Sequence, residues 1–82
     1  MKNFTFEIKK NIGVLSTSTK GWSKEVNLVS WNGAEPKLDI RDWSEDHQKM
    51  GKGLSLTPEE AKSLLQVLSA YCGKTQSTNF SN

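Results

Sequence analysis

Apolar residues in this chain change their spacing once, at Thr57. Up to Leu56 they recur at every second position, and from Ala61 they recur at helical intervals. Side chains that alternate belong to strands, whereas those returning every three or four residues belong to a helix. The first part divides into four alternating runs. Phe4, Phe6 and Ile8 alternate with Thr5, Glu7 and Lys9; Ile12 and Val14 continue this strand or follow a bulge. Ser16 to Gly21 is a turn cluster. Val26 and Leu28 alternate with Glu25 and Asn27, leading through Trp31 into Asn32-Gly33, a tight-turn signal. Leu38 and Ile40 alternate with Lys37, Asp39, Arg41 and Trp43, and Leu54 and Leu56 flank Ser55. Consecutive strands with no helix between them predict an antiparallel meander. The expected class is α+β: a four-stranded antiparallel sheet followed by one C-terminal helix, β-β-β-β-α.

Thr57-Pro58-Glu59-Glu60 is a helix start, with Thr57 as N-cap, Pro58 at the first helical position and Glu60 closing a capping box. Ala61, Leu64, Leu65, Leu68, Tyr71 and Cys72 follow, and Gly73 is the expected stop. At about 100° per residue these six span about 120°, and Val67 widens the arc to about 160°, whereas one sheet needs a stripe of only about 100°. The surplus assigns Leu64, Val67, Leu68 and Tyr71 to a dimer interface; the rival reading of Val67 is a partly exposed surface valine. Positions 73–82 are polar and unpatterned, which predicts a disordered tail behind a domain at 1–72.

That domain is small for a chain without a staple. Of 82 residues, one is cysteine and one is histidine, so no internal disulfide forms and a structural zinc site lacks ligands. A partner chain is the remaining staple, which independently predicts a homodimer. No apolar run is long enough to cross a bilayer, and the expected location is cytoplasmic. The net charge of +2 is too small to argue for nucleic acid by itself, but the excess lies wholly before the helix: positions 1–56 hold nine basic and seven acidic residues, and positions 57–82 hold two of each. No catalytic constellation, cofactor motif or metal loop emerges. His47 lies in a polar loop with no nucleophile to serve, and is expected to be solvated. Asp39, Asp42, Glu45 and Asp46 match no metal loop, and ion pairing is expected of those that alternate with cations. Cys72 is expected to be at least half-buried. No enzyme activity, cofactor or metal is expected.

The third strand carries the functional signal. If Leu38 and Ile40 face the helix, Lys37, Asp39, Arg41 and Trp43 face away from it. Trp31 is equally hard to fit in a small core. Rings interleaved with Lys and Arg suit a single-stranded nucleic acid, because bases stack on rings and phosphates need cations. The competing reading places the tryptophans at the sheet edge or in a dimer core, with solvated charges.

Lys20-Gly21-Trp22, Val29-Ser30-Trp31-Asn32, Ala34-Glu35-Pro36-Lys37, Asp39-Ile40-Arg41 and Met50-Gly51-Lys52-Gly53, followed by Leu54-Ser55-Leu56-Thr57-Pro58-Glu59-Glu60, resemble in order the positive cofactor four family, in its bacterial YdbC-type branch. The resemblance covers roughly positions 4–72. It implies that the sheet is curved, that the chain dimerises through its helices, and that the homodimer binds single-stranded DNA with weak sequence preference, in transcription regulation or DNA maintenance. It also implies nucleic-acid contacts at Lys10, Trp31, Lys37, Arg41, Trp43 and Lys52, with Trp31 and Trp43 stacking bases and the cations holding phosphates. RNA, or a protein of the transcription machinery, is the rival partner. The hairpin carrying Trp22 has no counterpart in the short eukaryotic domain, so the resemblance gives it no role.

Overall fold

In a computed structural model, which describes residues 4–75, the elements run β1 (Phe6–Thr17), β2 (Ser23–Trp31), β3 (Lys37–Trp43), β4 (Met50–Leu56) and α1 (Pro58–Thr75). The strands form one open antiparallel sheet in the order β1-β2-β3-β4. This is the predicted meander and helix. The Asn32-Gly33 signal is a tight turn with both residues at positive φ (52° and 77°), closed by the Ala34 N–H donating to Trp31 O at 2.9 Å. The register of β1 against β2 slips three times, between Ile8 and Lys10, Asn11 and Gly13, and Val14 and Ser16. Each extra residue bends its strand and increases local twist.

The consequence is a tightly rolled sheet. Phe6 pairs with Trp31, and Trp43 pairs with Ser23, eight residues earlier on β2. On a flat sheet that offset is about 27 Å at about 3.4 Å per residue. Yet the Phe6 and Trp43 rings lie 5.2 Å apart, so diagonal corners of the sheet curl towards each other over one face. By register this inner face carries Phe6 from β1, Glu25, Asn27, Val29 and Trp31 from β2, and Asp39, Arg41 and Trp43 from β3. The fully buried apolar side chains, Val29 and Trp43, are both here. The core is therefore centred on the face turned away from the helix, which the sequence pattern presented as open.

The opposite face carries Val26, Leu28, Leu38, Ile40, Leu54 and Leu56, and α1 meets it along β3 and β4. The helix start is the predicted capping box. Glu60 N–H donates to Thr57 Oγ1 at 3.1 Å, and Thr57 N–H donates to Glu60 Oε1 at 2.9 Å. Two expectations for α1 fail. It does not stop at Gly73 but runs on to Thr75: Gly73 is not among the positive-φ glycines, and a glycine within a helix costs only about 1 kcal/mol. Nor is Cys72 half-buried as expected: it is exposed. Ala61 and Leu64 are half-buried, but Leu65, Leu68 and Cys72 are exposed, with Val67 and Tyr71. Only the first turns of the helix have sheet beneath them. Most of the predicted tail lies outside the described residues.

Candidate nucleic-acid interface

Trp31 ends β2 at a corner of the rolled sheet, where the inner face opens. Its indole Nε1–H donates to Ser55 Oγ at 3.0 Å, and Ser55 Oγ donates to Asp39 Oδ2 at 2.7 Å. Asp39 is fully buried. Its carboxylate takes both arms of Arg41, from Nε to Oδ1 at 2.7 Å and from Nη2 to Oδ2 at 2.9 Å. The Arg41 guanidinium then lies over the Trp31 ring, 4.8 Å from its centroid. Trp31, Ser55, Asp39 and Arg41 thus form a closed ring of contacts that fixes the indole. Phe4 and Phe6 flank it at 5.8 and 6.0 Å. Phe4 is 63% exposed and extends the aromatic surface outward, a part that alternation had assigned to an ordinary strand.

The close approach of β4 to Arg41 requires Gly53. A Cβ there would overlap Arg41 Cβ and the Ile40 carbonyl. Arg41 Nη1 also donates to Gly51 O at 3.3 Å. Lys52 lies between these two glycines, exposed, on the segment that brackets Arg41. Lys37 is exposed at the start of β3, paired with Val29 two residues from Trp31. The register therefore brings Trp31, Arg41 and Lys37 to one region, with Lys52 exposed on the β4 segment next to Gly53, the partner of Arg41. Arg41 is not a free cation in it, since its side chain is 15% exposed and bound bidentately to Asp39.

Two of the expected contacts fall elsewhere. Lys10 is exposed but pairs with Leu28, whose register places it on the helix-side face. Trp43 shares a face with Arg41 as expected, yet it is fully buried, so it cannot stack a base in this conformation. Phe6 covers it from one side, and the His47 ring stacks on it at 5.7 Å and 27°. His47 is accordingly more than a solvated loop residue, although its side chain keeps 39% exposure. The loop turns through a left-handed His47 (φ 59°) and sends its imidazole inward, where Nε2 lies 2.9 Å from Glu25 Oε2. Burial pushes the Glu25 carboxyl up, but hydrogen bonds from Ser23, Asn27 and His47 outweigh it and hold the group below the usual carboxylate range. Asn11 Nδ2 donates to Asn27 Oδ1 at 2.7 Å, which ties β1 into the same polar chain. Three of the four acidic residues considered for a metal have protein partners: Asp39 with Arg41, Asp42 with Lys24 at 3.3 Å, and Asp46 with Ser44 Oγ and Gln48 N–H.

No helix among the described residues is long and apolar enough to cross a membrane. A family model, Transcriptional Coactivator p15 (PC4), matches residues 18–67. That span contains Trp31, Lys37, Asp39, Arg41, Lys52 and the capping box. An uncharacterised protein of Treponema pallidum (strain Nichols) is 48% identical over 68 residues, covering 83% of this chain and 80% of that protein. With the four-stranded antiparallel sheet and its C-terminal helix, these matches show that the chain belongs to the PC4 family, whose domains bind single-stranded DNA and are linked to transcription.

Proposed function

We propose that this protein is a non-enzymatic homodimer that binds single-stranded DNA with weak sequence preference. The observation that carries the reading is the fixed Trp31 indole beside exposed Phe4, with Lys37 exposed two register positions away and Lys52 exposed on the segment that brackets Arg41. A base gains about 1–3 kcal/mol by stacking on such a ring, whatever its identity. Lys37 and Lys52 take phosphates. Arg41 holds the indole from behind while Asp39 offsets its charge, and Trp43 supports the sheet from within. Lys10, on the other face, contributes through the general field. The preference for single strands follows because stacking needs bases freed from their neighbours, which in a duplex costs a few kcal/mol per opened step.

Tryptophan fluorescence tests this directly. Titration with an unstructured oligodeoxynucleotide at low salt is expected to quench part of the emission, and added salt to restore it. Trp31→Ala should weaken binding by about 1–3 kcal/mol with little change in salt slope. Lys52→Ala should instead lower the slope by roughly 0.7, the value for one single-strand phosphate contact. An unchanged spectrum at micromolar protein, or equal affinity of the wild type for duplex and single strand, contradicts the proposal.

A further inference from the structure

Trp22 is unused by the core. It stands at the tip of the β1–β2 hairpin, where Ser18 N–H donates to Trp22 O at 2.6 Å and Ser18 Oγ accepts the Lys20 and Trp22 N–H groups. Its ring makes no aromatic or cation contact among the described residues, and its indole N–H donates to none of them. Half-open on a turn, Trp22 leaves part of a ring of about two hundred square ångströms for a partner to cover. The tip is nevertheless firmly placed. Gly21, at φ 89°, abuts the Glu45 side chain, so the hairpin tip leans on the β3–β4 loop. Trp22 and Lys20 form a ridge between two grooves of about 550 and 480 Å³. One groove is completed by Lys49, Glu45 and Asp46, the other by Lys24, Asp42 and the hydroxyls of residues 16–18.

Resting on the single-stranded-DNA reading above, we propose that Trp22 is a second base-stacking post, placed at the opposite end of β2 from Trp31. The charges define what it takes. Lys20, Lys24 and Lys49 are balanced by Asp42, Glu45 and Asp46, so the grooves give a phosphate little net attraction. They offer a flat ring, a free indole donor and hydroxyl groups, which fit a base rather than the backbone. The lysines hold the ridge near neutrality, so that a polyanion threading from Trp31 is not repelled. Trp22 lies nine residues from Trp31, at most about 30 Å along an extended strand and less on this rolled sheet. A single strand that engages both passes from the inner face at Trp31 towards the side of the sheet on which Lys24 and Asp42 pair.

The test uses the full chain and (dT)20. Three indole N–H signals are expected in a nitrogen–proton spectrum, and Trp22→Phe and Trp31→Phe assign two of them. Saturation with (dT)20 should shift both the Trp22 and the Trp31 signals. Trp22→Ala, verified as folded by near-ultraviolet circular dichroism, should bind about tenfold more weakly, or about 1.4 kcal/mol, with an unchanged salt slope. A shift at Trp31 with none at Trp22 overturns this inference and leaves the first reading standing. A shift at Trp22 alone keeps the post and sinks the Trp31 assignment, and no shift at either sinks both. A Trp22 shift combined with undiminished affinity of folded Trp22→Ala also overturns it, because the ring would then sense the strand without holding it. If Trp22→Ala does not fold, the assigned signals of the wild type still decide.

Discussion

Asp39 has no surface open to water, so its carboxylate depends on what replaces the lost hydration. Arg41 supplies two hydrogen bonds and Ser55 a third. This makes Arg41 a structural residue before it is a binding one. Arg41→Ala should therefore destabilise the fold by about 3–5 kcal/mol, the cost of leaving a buried charge uncompensated. Adding Asp39→Asn removes that charge and should return a substantial part of the loss, a coupling that a double-mutant cycle in urea measures directly. If Arg41→Ala keeps wild-type stability and loses only DNA affinity, the guanidinium is a phosphate ligand and the pair with Asp39 is incidental. Trp31 behaves differently, because its ring is held by the same network but sits at the open corner. Its loss should be read in affinity more than in stability.

The β3–β4 loop shows why some of the site could be read from the sequence and some could not. Alternation correctly placed Asp39, Arg41 and Trp43 on one face, the Asn-Gly turn and the Thr57–Glu60 box are where their chemistry puts them, and Ile12 and Val14 do follow bulges. Alternation says which residues share a face; it does not say whether that face is open. Three bulges in β1 roll the sheet, and the roll closes Phe6 and His47 over Trp43. Nothing in the loop's polar composition announces that His47 turns inward, because that depends on Glu25, twenty-two positions away. The Glu25 carboxyl gives the loop an acid limit. Its value is lowered in the folded chain, so its contribution is complete above the ordinary carboxylate value of 4.5 and is lost as pH falls through the lower folded value. His47→Ala removes one of the groups that depress it. The folded value then rises, and the acid-unfolding midpoint should move to higher pH, alongside a loss of about 1–3 kcal/mol at neutral pH. An unmoved acid midpoint, followed by circular dichroism, would show that the Glu25–His47 contact does not support the loop.

The helix leaves the sheet after its first turns and carries Leu65, Val67 and Leu68 into solvent at 65%, 62% and 47% exposure. On the other side of the same argument, Leu54 is half-open on the helix-side face of the sheet. In the proposed homodimer, a second copy packing its helix against this one would cover the apolar arc, which the small single core does not do by itself. The position to probe is Val67, because it widens the arc beyond what one sheet uses and is well exposed in the single chain. Val67→Glu places an unpaired charge in that helix–helix contact and should weaken association by about 3–5 kcal/mol, more than a hundredfold in the dissociation constant. Equilibrium sedimentation at tens of micromolar should show a wild-type dimer and a mutant shifted to monomer, with the helical signal of the monomer reduced because its exposed turns have lost their cover. A wild-type monomer at that concentration removes the dimer from the proposal. A Val67→Glu chain that remains dimeric moves the interface off this face of α1, most simply onto the open stretch of sheet around Leu54.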